Sequence, residues 1–183
     1  MRDALIVDAV RTPMGRRNGS LSATRPDELA ADLLRELVRR NGLDPGEVED
    51  VIMGCVTPIG EQGFNIGRIA PLIAGFPVEV SGVTVNRMCG SSLQAANFAA
   101  QAVMSGQCDL VVAAGVESMS RVPMGSDGGP LSPRLTDRFL VVPQGLSAEM
   151  IAERWGLGRE ELDAFSLESH RKAIEAIDSG RFD

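Results

Sequence analysis

With one histidine and three widely separated cysteines in 183 residues, the chain is short of the side chains that bind soft metals. No C-x-x-C pair occurs, and a single imidazole with such scattered thiols cannot close a tetrahedral zinc site. An odd number of cysteines in unrelated settings also argues against a disulfide framework and for a reducing compartment, here the cytoplasm. Basic residues are outnumbered, 18 Lys and Arg against 25 Asp and Glu, for a net charge of -7. That balance, with the basic residues scattered, excludes the positive face that nucleic acid requires. No apolar run approaches the roughly 20 residues of a membrane span, and the sequence opens directly into an apolar segment without a signal pattern. What remains is a chain long enough for a substantial core, with no internal repeat and no low-complexity linker among its 20 glycines and 10 prolines.

The pattern along the chain is an alternation. Residues 4–10 (ALIVDAV) form a short apolar run bounded by a polar turn and read as a buried strand. Residues 27–40 carry Leu29, Ala30, Leu33, Leu34, Leu37 and Val38 at helical spacing. Pro26 and Asp27 suit the first turn, Arg39 and Arg40 the last, and Asn41-Gly42 the left-handed stop. Residues 49–56 read as a second strand. Residues 61–75 read as a glycine-rich loop leading into a helix over Ile66, Ile69, Ala70 and Ile73. Residues 78–85 are a third strand, 93–104 a helix rich in alanine, and 110–114 a fourth strand. Such alternation predicts a layered α/β fold with a mainly parallel sheet. Residues 119–144 contain four prolines and little periodicity, as expected of a long surface excursion. Two helices follow, over 147–155 and 159–179, the second with a buried face predicted from Leu162, Phe165, Ala173, Ile174 and Ile177.

The stretch with chemical content is 84–118, TVNRMCGSSLQAANFAAQAVMSGQCDLVVAAGVES. It places Cys89 on a bend between a strand and a helix. A sulfur there faces unpaired amide N–H groups and the positive end of the helix dipole, both of which favour the nucleophilic thiolate. Free cysteines are most often inert core residues. Cys89, however, is wrapped in Gly90, Ser91 and Ser92 rather than in aliphatic side chains, and Ala95, Ala96, Ala99, Ala100 and Ala102 predict a central, buried helix behind it. Ser91 and Ser92 are expected to cap that helix. Cys55, at a strand end with no helix behind it, reads as a small core residue, and Gly60-Glu61-Gln62-Gly63 as a turn without the spacing of a phosphate-binding loop.

These segments resemble the thiolases, the acyl-CoA acetyltransferases and 3-ketoacyl-CoA thiolases. N-R-M-C-G-S-S-L-Q-A at 86–95 is similar to the family's active-cysteine region, and G-x-C-D-x-V-x-A-x-G-x-E-S-M-S follows it. The likeness extends through R-T-P-M-G-R at 11–16, G-C-V-T-P at 54–58, N-I-G-R at 65–68 and S-A-E-M-I-A-E-R-W-G-L-G-R-E-E-L-D-A-F-S-L-E-S-H at 147–170.

The resemblance implies a thiolase-like α-β-α half with a mainly parallel, mixed sheet over residues 1–118, and the beginning of a loop domain covering the substrate tunnel over 119–183. It implies acyl transfer between CoA thioesters through an acyl-Cys89, coenzyme A and acyl-CoA being substrates rather than resident cofactors. The partner is a second copy, in a homodimer or homotetramer, with no metal, nucleic acid or membrane involved. For the CoA contacts it offers Arg121, Arg134, Gln144 and Gly145. Pro143-Gln144-Gly145 stands where many short-chain members have His-Met-Gly, which points to bulkier acyl groups.

A thiol with pKa near 8.5 is only about 3% ionised at pH 7, and a helix terminus shifts it by no more than about 1.5 units. An activating base is needed, and His170, on a helix among Glu168, Arg171 and Lys172, reads as solvent-facing. By resemblance that base, a second cysteine and an asparagine motif lie in a C-terminal half absent here, so the chain reads as the N-terminal part of a longer enzyme, inactive alone. The alternatives are a condensing enzyme of the ketoacyl synthase type, or a half-domain serving only folding and assembly.

Overall fold

The computed structural model describes residues 2–182. It divides into two compact units, one ending at Gly129 and the other beginning at Pro130.

In the first unit, α1 spans Pro26–Asn41. Proline at its first position costs nothing, because that N–H has no helical acceptor. Asp27 and Glu28 lie at the positive end, and Arg39 and Arg40 at the negative end. Gly42, with φ of 62°, closes the helix by donating its N–H to the Arg39 carbonyl. Ala30, Leu34 and Val38 form the buried stripe. A short 3-10 turn over Pro45–Glu47 leads to β1, Asp50–Gly54. A second, Gly60–Gln62, precedes α2, Ile66–Ala74. Then come β2, Ser81–Val85, α3, Ser91–Ser105, and β3, Val111–Gly115.

The three strands form a parallel sheet in the order β2-β1-β3. Because side chains alternate along a strand, β1 feeds two cores. Val51 and Met53 pack with α1 and α2, on Leu34, Val38, Ile66 and Ala70. Ile52 packs on the other face with Ala95 and Ala99 of α3. The result is the layered α/β arrangement expected: α1 and α2, the sheet, then α3.

Two expectations for this unit fail. Residues 4–10 form no strand, and Leu5, Ile6 and Val7 are 82%, 91% and 77% exposed. A strand exists only by pairing, and neither edge of the sheet pairs with this segment. Side chains tether it instead: Arg2 donates to the Val103 carbonyl at 3.1 Å, and Asp8 accepts from Asn41 at 2.8 Å and pairs with Arg40 at 2.9 Å. Nor is α3 enclosed. Ser91, Gln94, Ala95 and Ala99 are its buried residues, while Leu93, Ala96 and Phe98 are exposed, so the small side chains serve one close contact with the sheet rather than burial all round.

In the second unit, α4 (Pro133–Thr136) is followed by α5 (Gln144–Trp155) and α6 (Arg159–Asp178). The stripe predicted to be buried in α6 is exposed at Leu162, Phe165, Ala173, Ile174 and Ile177. Three helices with no sheet offer too little opposing apolar surface to cover it. Salt links on the same helix, Arg171 to Glu168 at 2.7 Å and to Glu175 at 3.1 Å, are exposed and contribute little each. Among the described residues, no helix is long and apolar enough to cross a membrane.

The division between core and surface predicts opposite outcomes for two truncations. Met53→Ala, at a position with no exposure, should lower unfolding stability by about 2–5 kcal/mol, read as a fall in urea midpoint at unchanged slope. Ile6→Ala should stay within about 0.5 kcal/mol.

Candidate active site

Parallel strands in register end along one edge of their sheet, and here Gly54, Val85 and Gly115 stand side by side at that edge. In open α/β sheets the space beyond the carboxyl ends of the strands is where ligands bind. At this edge β2 runs into the bend Asn86, Arg87, Met88, Cys89 and Gly90, and Gly90 is the N-cap residue of α3. Cys89 is therefore immediately outside the helix start, and it is exposed.

Two glycines allow α3 to begin there. A Cβ on Gly54 would lie 2.4 Å from the Ser92 amide nitrogen, and one on Gly115 would lie 1.8 Å from Ser92 Oγ. No real Cβ tolerates such distances, so the first turn of α3 rests directly on the backbone of two neighbouring strands.

The bend itself is held by side chains. Met88 adopts φ of 47°, a left-handed conformation that bulky residues rarely take. Ser91 Oγ accepts from the Arg87 N–H at 2.9 Å and donates to the Met88 carbonyl at 2.6 Å. Asn86 donates to the Val56 carbonyl at 2.8 Å and accepts from the Met88 N–H at 2.9 Å. Ser91 thus ties the helix back to the bend and Ser92 packs over Gly115, whereas the sequence predicted caps on the first turn. No side chain caps α3; its first N–H, that of Ser91, donates to the Met88 carbonyl at 3.0 Å, and the Ser92 amide lies against Gly54.

A polar cluster behind the bend was not legible in sequence. Gln62, fully buried in what reads as a plain turn, donates to the Thr57 carbonyl at 2.9 Å and to Glu117 at 2.8 Å, and accepts from the Ser118 N–H at 2.7 Å. Glu117 also accepts from the Val56 and Thr57 N–H groups at 2.7 and 3.2 Å. The available signal was a glutamate directly after an apolar strand, which needs a donor if it turns inward.

The other thiols are placed differently. Cys55 is buried, and its pKa is pushed up to about 11, first by burial and then by the Glu117 charge. Cys108 is half-buried and also raised, by burial and then by Glu49, Asp50 and Asp109. Arg121 is engaged locally, with Glu61 at 2.6 Å and with the carbonyls of Ser22 and Ala23. Its hydrogen bond is the main cause of the lowered Glu61 pKa. Gln144 and Gly145 open α5 and Arg134 lies in α4, all in the second unit. His170 is there too, exposed on α6. Among the described residues, no three His, Cys, Asp or Glu side chains form a metal-binding group.

Residues 4–183 match the family model described as "Thiolase, N-terminal domain". A steroid 3-ketoacyl-CoA thiolase from Mycobacterium tuberculosis is 44% identical over all of this chain and 48% of its own length. A 3-ketoacyl-CoA thiolase from Idiomarina loihiensis is 47% identical over all of this chain and 48% of its own. The crystal structure of an acetyl-CoA acetyltransferase from Bacillus anthracis superposes with a TM-score of 0.85 at 36% identity, over all of this chain and 50% of that one. The chain spans about half the length of the curated relatives it matches.

Three measurements check this geometry. Under native conditions at pH 8, iodoacetamide should alkylate Cys89 before Cys108, with Cys55 silent until denaturant is added, as read by peptide mass spectrometry. Because the Cys55 pKa is raised on folding, its protonated form supports the fold below pH 9, and that support should fade as pH rises from 9.0 toward about 11. Cys55→Ala should remove this component. Gly115→Ala should cost roughly 1–3 kcal/mol in denaturant unfolding and alter the Cys89 alkylation rate, since the new methyl must push Ser92 and the start of α3 away.

Proposed function

The chain belongs to the thiolase family, as its N-terminal domain, and from that premise we propose that it supplies the acyl-accepting thiol for thiolytic cleavage of 3-ketoacyl-CoA. The single observation that carries this reading is an exposed Cys89 on a side-chain-braced bend, directly ahead of an uncapped helix start at the carboxyl edge of a parallel sheet.

In the proposed reaction the Cys89 thiolate attacks the 3-keto carbon. The bond between carbons 2 and 3 breaks, its electron pair leaves as the enolate of acetyl-CoA, and that enolate takes up a proton. The acyl group, now a thioester of Cys89 Sγ, is attacked by the thiol of a second coenzyme A. The carbon–sulfur bond to Cys89 breaks, releasing a shortened acyl-CoA and restoring the thiol. The Cys89 N–H would help to hold the oxyanion, where a fixed donor lowers the barrier most. By resemblance the base that ionises Cys89 belongs to the C-terminal half of the family's fold, and the one histidine here, His170, sits exposed on α6.

The name of the Mycobacterium tuberculosis relative, a steroid 3-ketoacyl-CoA thiolase, and the Pro143-Gln144-Gly145 segment support bulky acyl groups over acetoacetyl-CoA. Gln144, Gly145, Arg121 and Arg134 remain the proposed CoA contacts. For Arg121 that role requires it to exchange its bonds to Glu61. The division is read as a core over 1–118 and the start of a loop domain over 119–183, although residues 119–129, with buried Val122, belong to the first compact unit. Exposed apolar faces on α3, α5 and α6 support a homodimer or homotetramer, and three free thiols support the cytoplasm.

In the complete protein, Cys89→Ser should reduce thiolysis of a 3-ketoacyl-CoA series by at least roughly 10³-fold, as losing a nucleophile does elsewhere. Turnover equal to the unmodified protein would remove Cys89 from the mechanism. The 183-residue chain alone, incubated with acetyl-CoA, should show little acylated Cys89 by mass spectrometry.

A further inference from the structure

The Met88 conformation has to be enforced from outside, because a non-glycine residue at φ of 47° relaxes wherever its surroundings let it. Ser91 holds the helix side of the bend. The strand side is held through a relay of hydrogen bonds that begins at the end of β3. Glu117 takes the Val56 N–H on one oxygen, at 2.7 Å. On the other it takes the Thr57 N–H, at 3.2 Å, and the Gln62 amide, at 2.8 Å. The peptide thus fixed presents the Val56 carbonyl to Asn86, at 2.8 Å, and Asn86 in turn receives the Met88 N–H at 2.9 Å. One carboxylate at the end of β3 grips the turn after β1, and that turn grips the bend after β2.

Both oxygens of Glu117 act purely as acceptors, and three N–H groups converge on them. That is a demand for a carboxylate in particular. A glutamine amide of the same shape would turn an NH₂ toward one of these donors and leave it unpaired, at a cost a neutral acceptor cannot recover. Gln62 completes the arrangement from a fully buried position, so water is not at hand to substitute for a lost partner.

We propose that Glu117, acting through the Val56 peptide and Asn86, is a positioning residue for Cys89: it fixes the bend that aims the sulfur and the Cys89 N–H. It touches neither substrate nor sulfur. Displacement of a reacting atom by about 1 Å can cost roughly 100-fold in rate, which sets the scale of what such a relay protects. The proposal rests on Cys89 being the nucleophile, and alkylation of Cys89 tests the relay without calling on acyl transfer.

The test is a double-mutant cycle in the complete protein with Glu117→Gln and Asn86→Ala. The readouts are the rate of iodoacetamide capture at Cys89 and the separate kcat and KM of thiolysis. Each single variant should change the capture rate and lower kcat by about tenfold, with KM within about twofold. The double variant should be no worse than the more affected single, because both cut one relay. Met53→Ala, which destabilises the same sheet at a residue outside the relay, should leave Cys89 capture unchanged and so separates positioning from loss of stability. Multiplying effects in the double variant, or a Glu117→Gln protein with capture and kcat within twofold of the unmodified one, would overturn the assignment. If Glu117→Gln does not fold, Asn86→Asp decides. It keeps the acceptor for Met88 but cannot donate to Val56, so it should behave like Asn86→Ala, and unmodified-like behaviour would refute the relay. Should Cys89→Ser retain full turnover, the functional reading falls, while the capture rates still report on the relay.

Discussion

Everything at the carboxyl edge of the sheet depends on how closely the first turn of α3 approaches β1 and β3. Gly54 and Gly115 are paired in register, and the space that their side chains would fill is taken by the Ser92 amide and hydroxyl. Removing two Cβ atoms from adjacent strands lets a helix start lie on a sheet at backbone contact, a distance that even alanine would forbid. The helix axis, the direction of its leading N–H groups and the point where the chain must turn to enter it then follow from one contact. Cys89 occupies that turning point, so its exposure beside a helix start is a consequence of packing beneath it. The alanines of α3 extend the same logic along its length: Ala95 and Ala99 meet Ile52 without spacing the helix away from the sheet.

Local patterns carried most of the fold into the sequence. The α1 stripe, its charged ends and Gly42 are all interactions between residues a few positions apart, so periodicity and capping chemistry suffice to read them. The strand-helix alternation from β1 to β3, and Cys89 at the entrance to α3, were legible for the same reason. What failed was whatever depends on a distant partner. Residues 4–10 have the apolar run of a buried strand, but pairing is not encoded in the run itself, and the segment is held by Arg2 and Asp8 with its aliphatic side chains outward. The α6 stripe was real as a pattern and unburied as a fact, since amphipathicity states what a helix can cover and not what covers it. Ser91 looked like a cap because serine at a helix start usually is one. Its hydroxyl instead bonds backward, to the Arg87 N–H and the Met88 carbonyl, because the bend offers both a donor and an acceptor at closer range.

Electrostatics set a limit on what this chain does with its thiol. A helix start contributes about 0.3–1 kcal/mol, and up to roughly 2 in favourable geometry, toward an anion. Arg25 and Arg121 converge on Glu61, and Arg25 further binds Asp27 at 2.7 Å. In the proposed reaction the chain presents and aims the thiol, and the base that ionises it is a separate group.

Selectivity among thiols follows from the same cluster that braces the bend. Cys55 and Cys89 both lie just beyond the ends of adjacent parallel strands, and the Cys55 N–H donates to the Val85 carbonyl, so sequence position alone gives little reason for one to react and not the other. Their surroundings do. Cys55 faces the α1 and α2 core with the Glu117 charge close by, and both burial and that charge disfavour a second anion. Cys89 is carried out of the core by a bend that the same carboxylate helps to hold through Val56 and Asn86. Burial first, and the part-buried Glu117 carboxylate second, disfavour ionisation of one sulfur, while the same carboxylate braces the bend that carries the other. If the proposed acyl transfer runs through Cys89 alone, suppressing the bystander thiol matters as much as exposing the reactive one.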